Sequence, residues 1–332
     1  MKKQKKIIVI LLLVFLLTGC TTQLKDADGK LVKDETTKQT LVQNILCQPE
    51  ELRDTYEKAL EKKEKDYKKL YEEKELTKKD YKKKMDNLLD IDKLPVCTEF
   101  SVFEGGYESF WTSVFVKPLA WVIINIGKIL GSNYGLAIII TTLLIKLILF
   151  PLTYKSIKQS ENMKKAQPKL SRIEKKYADK TDQQSMMMKS NEMMAVYKEY
   201  KINPISGCLM AFLQIPLFFA FYEALYRLPV LFEGSFIGLK MGMTPIAGAQ
   251  DGAWYYLLLP VIVGLVTYFS FKMNKATTSG DSQQEKQMSM MMNIMIVMIF
   301  ATSFTMSTAI IIYWITNSLF TILQNLLVKR SK

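Results

Sequence analysis

One side chain in this sequence sits where its chemistry is costly. Lys146 lies within Tyr134 to Tyr154, YGLAIIITTLLIKLILFPLTY, an apolar stretch with no other charge. A bilayer's hydrocarbon core takes about 20 residues of helix to cross, so the stretch reads as a transmembrane helix carrying an ammonium near its middle. Placing a lysine there costs roughly 2.5–3.5 kcal/mol on insertion scales. Such a group normally faces a partner or a water-filled cavity, where it can attract an anion. The plainer reading is a lysine that snorkels to the interface. Tyr154 is about 12 Å of helix away, a long reach for one side chain.

Other polar residues line up with it. Thr142, Lys146 and Thr153 fall on one face of the first span. Trp314, Asn317, Thr321 and Gln324 fall on one face of the last, and Gln214 adds an amide on the second. Hydrogen bonding between helices satisfies many such groups. It does not account for a lysine when the only acid within the expected spans is Glu223, near the outer end of the second. The expected site is a cation in a polar, water-accessible groove, with Lys146, Thr142, Gln214, Trp314, Asn317 and Gln324 as its contact residues.

Several chemistries are excluded. The chain has no histidine, so His-based acid–base catalysis and Ser-His-Asp triads are absent. Its four cysteines have no zinc spacing. No metal, no cofactor and no nucleophile–base pair of an enzyme is expected.

The elements that must position the site are apolar blocks. The sequence is 49% hydrophobic with a formal net charge of +13. Ile205 to Leu225 and Trp254 to Phe271 each suffice for one crossing, and the uncharged Met288 to Val328 for two, turning at Ser303 to Ser307. The expected fold is an all-α polytopic membrane protein with spans near 134–154, 205–225, 254–271, 288–304 and 308–328. Residues 155–204 carry 12 Lys+Arg against 6 Asp+Glu, which sets the cytoplasmic side. The basic tail, 329–332, agrees. The N-terminus is then outside and the C-terminus inside.

Residues 110–131 form an amphipathic stretch, with Phe115, Leu119, Ile126 and Ile129 on one face. A fifth-plus-one crossing there would put the lysine-rich segment outside, so the helix is expected on the outer surface. In the cytoplasmic segment Pro168 is expected to start one helix. A second carries Met186, Met187, Met193 and Met194. Methionines offer a soft apolar surface suited to varied helices, although they also serve to pack two helices together. The basic residues there can attract anionic lipid or ribosomal RNA.

The first residues, MKKQKKIIVILLLVFLLTGC, combine lysines, a short apolar run and small residues, the layout of a secretory signal over 1–19. The ending LTGC resembles a bacterial lipobox, which implies a diacylglyceryl thioether on Cys20, with palmitate-type chains. The segment 20–109 is then extracellular. Residues 21–46 read as a polar linker. Apolar positions from Leu52 to Leu89 read as an antiparallel helical hairpin, its second helix starting at Thr77 and ended by Pro95. Cys47 and Cys97 flank it where its ends would meet, and a disulfide is permitted outside the cell. Two free thiols are the alternative. The lysine runs are not a nucleic-acid site, because residues 21–110 hold 18 Lys+Arg against 21 Asp+Glu.

From about Phe110 to Val328 the chain resembles the YidC/Oxa membrane protein insertases of Gram-positive type. The resemblance rests on IIITTLLIKLILFPLT, QPKLSRIEKKY with YKEYKINPISGC, LQIPLFFAFYEAL and FTMSTAIIIYWITNSLFTILQ, in that order. It implies five transmembrane helices around a hydrophilic groove, a cytoplasmic helical hairpin (155–204) that captures substrate, and no nucleotide. Within it, 132–328 would be the insertase core. It implies nascent membrane proteins as substrates, the ribosome as a transient partner, possible cooperation with a Sec translocon, and membrane lipids around the spans. Lys146 stands where the family usually has arginine. The four-residue tail is short for ribosome binding, and the ectodomain is long. A small-solute or anion transporter using Lys146 is the alternative reading, and a lipoprotein whose ectodomain binds a partner is another.

Overall fold

The computed structural model describes residues 21–26, 28–104, 106–203, 206–274 and 283–330. The expected signal peptide and lipidation site, 1–19 and Cys20, lie outside the described residues. In chain order the helices are α1 (Arg53–Glu72), α2 (Lys78–Asp86), α3 (Lys117–Ile129), α4 (Tyr134–Ile148), α5 (Phe150–Lys176), α6 (Gln183–Glu199), α7 (Ser206–Tyr226), α8 (Val230–Glu233), α9 (Pro245–Gln250), α10 (Leu258–Asn274), α11 (Gln283–Ser303) and α12 (Thr308–Arg330). One small hairpin, β1 (Ser235–Phe236) with β2 (Leu239–Lys240), lies between α8 and α9. The protein is all-α apart from such short pairings. By length and apolar composition, three helical stretches among the described residues can cross a membrane: Thr112–Ile129, Trp254–Met273 and Thr308–Arg330. The pair α4 and α5 is a fourth if counted as one bent span.

The chain divides into two compact units. The first runs up to Thr141 and adds Pro216–Leu259 and Phe304–Tyr313. Its N-terminal part corrects the expectation of a linker over 21–46. Leu24 N–H donates to Leu41 O, Val32 N–H to Leu24 O, and Leu41 N–H to Val32 O, so three extended segments pair with one another. They bury Leu24, Leu41, Val42 and Ile45 against Tyr56 and Leu60 of α1 and Ile91. The Tyr56 hydroxyl donates to Val42 O at 3.0 Å, which satisfies the polar tip of a buried ring. The many Thr, Asp and Gly residues hid this core, because only every second or third side chain faces inward.

The helical hairpin follows as α1 and α2. Thr77 caps α2 by accepting from Asp80 N–H at 3.1 Å, the expected start signal. Tyr71 and Tyr81 stack across the pair at 4.7 Å. The second helix ends at Asp86 rather than at Pro95; the residues between close the N-terminal core through Leu88, Leu89, Ile91 and Leu94. Cys47 and Cys97 are disulfide-bonded, with Cα atoms 4.8 Å apart.

The amphipathic segment begins with a π-helical turn, Thr112–Val116, that leads into α3. Its buried face is not the expected one. Val116, Leu119, Ala120, Ile123, Ile124 and Gly127 are buried, whereas Phe115 and Ile129 are exposed. Of the expected face, Leu119 alone is buried. Lys117 is buried and donates to Glu104 O and Gly106 O, so backbone carbonyls satisfy its ammonium.

The second unit comprises Thr142–Ile215, Pro260–Ser303 and Trp314 onward. Three features there depart from expectation. The first span is not one helix to Tyr154: α4 ends at Ile148, and α5 starts at Phe150 with a bend of 66°. Pro151 lies in the first turn of α5, where its missing N–H costs nothing, but its ring cannot continue the preceding helix. Pro168, expected to start a helix, is instead inside the 27-residue α5. The hairpin therefore has one long arm, α5, and one shorter arm, α6. Ala166, Leu170, Val196 and Ile202 form its core, with Met193 packed beside them. Lys176 and the Tyr177 hydroxyl both donate to Glu192 Oε1, at 2.6 and 2.8 Å. The loop expected over Lys272 to Gln287 is shortened by α10, which runs to Asn274, and by α11, which starts at Gln283.

Candidate functional site

The bend after Ile148 changes the setting of Lys146. It is not mid-helix but in the last turn of α4. A helix C-terminus carries partial negative charge and unpaired carbonyls, which favour a cation within that turn. The signal was in the sequence: Phe150-Pro151 follows within five residues.

Lys146 is 5% exposed. Its Nζ donates to Gln214 Oε1 of α7 at 3.2 Å and to Thr321 Oγ1 of α12 at 3.4 Å. Both partners are neutral. Gln214 Nε2 donates in turn to Asn317 Oδ1 at 3.4 Å, and the Thr321 hydroxyl donates to Asn317 O at 2.8 Å, one turn back. Among the described residues the ammonium is thus held by two neutral acceptors and has no carboxylate partner.

The remaining expected site residues separate. Thr142 is buried one turn before Lys146 on α4. Trp314 Nε1 donates to Thr267 Oγ1 of α10 at 2.9 Å, away from the Lys146 bonds. Gln324 Nε2 donates to Thr153 Oγ1 of α5, and that hydroxyl also bonds Leu149 O and Phe150 O at 3.1 and 3.0 Å. Thr153 thereby bonds back to the first turn of its own helix, where Leu149 O also accepts the Thr153 N–H. Thr267 was missed by the sequence reading, since a lone threonine in a span carries no signal.

On the hairpin, Met186, Met187 and Met194 are 54%, 61% and 47% exposed. Met193 is not among them, because it turns into the α5–α6 core. A surface of three methionines remains, with Met188 beside it, also exposed.

A second polar cluster lies in the first unit and was not expected. Arg227 is 1% exposed. Its guanidinium makes a forked contact with Glu108, at 2.7 and 2.8 Å, and bonds Glu223 Oε1 at 3.2 Å and Asn44 O at 2.5 Å. Trp111 Nε1 donates to the other Glu223 oxygen at 3.0 Å. So the one acid of the expected spans is consumed by Arg227 and Trp111.

An all-α chain with several helices long and apolar enough to cross a bilayer defines a class, the helical membrane proteins. The family model described as 60Kd inner membrane protein matches residues 125–332, and the chain belongs to that family. It is 33% identical over 238 residues to a membrane protein insertase YidC of Oceanobacillus iheyensis, covering 70% of this chain and 90% of that protein. It is 34% identical over 220 residues to the membrane protein insertase MisCA of Bacillus subtilis, covering 66% of this chain and 79% of that protein. A membrane protein insertase YidC 2 of Bacillus anthracis is 35% identical over 219 residues, 66% of this chain and 81% of that protein.

Proposed function

We propose that this chain inserts nascent membrane proteins into the cell membrane, without covalent chemistry, through a polar groove centred on Lys146. The carrying observation is the Lys146 ammonium, buried and held, among the described residues, by the neutral Gln214 and Thr321. A short acidic segment of the client enters toward it. At about 4 Å and an effective dielectric of 20, one such pair gains about 4 kcal/mol before desolvation, enough to guide a segment and little enough to release it. The client's apolar helix then passes along the spans into lipid, driven by burial of apolar surface.

The chain crosses the membrane five times, with the bent α4–α5 pair as the first crossing and the Thr112–Ile129 helix on the outer surface. The loop charges support this topology, N-terminus outside and C-terminus in the cytoplasm. Cys20 carries the lipid anchor. The α5–α6 hairpin makes first contact with the client through Met186, Met187 and Met194, which are exposed. The ribosome is a candidate transient partner, and a Sec translocon a candidate partner for larger clients.

The test is insertion in cells depleted of the native protein, using a single-span client with an acidic external tail. Lys146→Arg is expected to support insertion, and Lys146→Gln and Lys146→Glu to fail. Equal insertion by all of them would sink the electrostatic mechanism. Solute flux through the purified protein, abolished by the same variants, would favour an anion transporter instead.

A further inference from the structure

The β1–β2 hairpin carries an apolar residue where neither backbone geometry nor water favours one. Ser235 pairs with Lys240 and Phe236 with Leu239, so Ile237 and Gly238 form a two-residue turn. Both have positive φ, 52° and 76°, the geometry that favours Asn-Gly. Gly238 adopts it freely. Ile237 does not, because a β-branched side chain in the left-handed region is an outlier. Yet Ile237 is 83% exposed, so burial within the chain does not offset that cost. Phe236 and Leu239 are half-buried and hold the hairpin down, which leaves Ile237 as its apolar tip.

The hairpin is fastened to the ends of three apolar helices, all within the first unit. The Phe236 ring lies against Gly135 in the first turn of α4, leaving no room for a Cβ there. The Lys240 N–H donates to the Tyr256 hydroxyl at 2.7 Å, in the turn that opens the membrane-length stretch Trp254–Met273. Met241 N–H donates to Gly234 O at 2.9 Å, and Met241 O accepts from Ala309 N–H at 3.0 Å, at the start of α12. Trp254 and Tyr255, beside Tyr256, are exposed. Exposed Trp and Tyr at the end of an apolar helix mark the level where a bilayer meets water. The end of α3 adjoins the same place, since Gly127 packs on the Tyr134 ring of α4, and its Lys128 and Ile129 are exposed. Residues 234–240 include no acid. Lys128 and Lys240 offer cations suited to anionic headgroups. Whatever covers Ile237 lies level with these helix ends, and that is where the lipid surface lies.

We propose that the Ile237–Gly238 turn dips into the outer leaflet of the bilayer, with Ile237 among the first acyl carbons and Lys128 and Lys240 at headgroup level. The choice of leaflet rests on the topology proposed above; the insertion itself does not. A cysteine is introduced by Ile237→Cys in a Cys208→Ser background. Lys74→Cys, at the exposed turn between α1 and α2, is the control, and the background chain is the blank. Each full-length variant is labelled with the fluorophore NBD and placed in phosphatidylcholine–phosphatidylglycerol nanodiscs. Thermal midpoints report that the variants fold. At 237 the emission is expected to be blue-shifted, to be lost to lipids carrying a nitroxide high on the acyl chain, and to resist iodide. At 74 iodide is expected to quench and the nitroxide to leave the emission unchanged. Iodide quenching at 237 equal to that at 74 places the tip in water and overturns the insertion. A label at 237 shielded from both quenchers places it under protein and overturns the insertion as well. On intact cells, an impermeant maleimide is expected to label Lys74→Cys. Failure there overturns the topology and with it the choice of leaflet, a result distinct from failure of the quenching.

Discussion

Lys146 and Gln214 meet at 3.2 Å, ammonium to amide oxygen, and that partner carries no charge. Gln214→Glu changes little in shape but supplies the carboxylate the site lacks. A close pair in a low-dielectric setting is strongly favoured over separation, so the variant is expected to satisfy Lys146 internally. Insertion of an acidic-tailed client should fall about tenfold, close to Lys146→Gln, while Gln214→Ala loses much less. Protease protection of the client tail reads out both. Full activity in Gln214→Glu would mean that the charge of Lys146 does not act on the client.

Arg227 is the converse case, a buried cation whose charge is fully spent. Glu108, Glu223 and Asn44 O all accept from it. Removing one member of a buried pair leaves the other uncompensated, at about 3–5 kcal/mol. Arg227→Ala should therefore lower the thermal midpoint of the purified protein far more than Glu108→Gln, whose side chain is 37% exposed. Similar midpoints in the two variants would show the network to be ornamental to stability.

These two clusters differ in how they could be read from residues alone. Lys146 announced itself as a lone charge in an apolar run, and Thr321, Asn317 and Gln214 by helical spacing or amide chemistry. Arg227 sits at the end of a span beside a loop, where an arginine is ordinary, and its partners come from positions 44, 108 and 223. No local pattern joins residues so far apart. The helices were legible because apolar blocks have a length that only membrane crossing explains. The bend at Leu149 and the unbroken α5 were not, because proline either starts a helix or rides within one according to tertiary packing. Pro151 did the first and Pro168 the second. The ectodomain's paired segments escaped because each is too short to show alternation.

The Cys47–Cys97 bond closes the ectodomain, with a sequence separation of 50. Gln48 fastens the same junction, its N–H donating to Pro95 O and its amide to Leu94 O. The chain-entropy model gives a loop of this length about 4 kcal/mol. Cys47→Ser/Cys97→Ser should speed hydrogen exchange at Leu41 and Tyr56, in the ectodomain core. Insertion of the acidic-tailed client should be unchanged, because the groove residues belong to the other unit. A loss of insertion in a folded variant would assign the ectodomain a direct part in client handling.

Glu233 gives the ectodomain a pH dependence with a definite sign. Its carboxylate accepts from Glu50 N–H at 2.9 Å and Leu52 N–H at 3.1 Å, at the start of α1. Burial pushes its carboxyl above the ordinary 4.5, outweighing the two N–H donors that act the other way. The folded state then holds the proton more tightly than the unfolded chain. The resulting stabilisation is fully present below the ordinary value and is lost as pH rises through the raised one. Glu233→Gln keeps an acceptor oxygen but does not titrate. The thermal midpoint of the native chain minus that of Glu233→Gln should therefore fall as pH rises above the ordinary 4.5. A difference that is flat, or that grows with pH, would mean that the N–H donors prevail and the carboxylate is the preferred form in the fold.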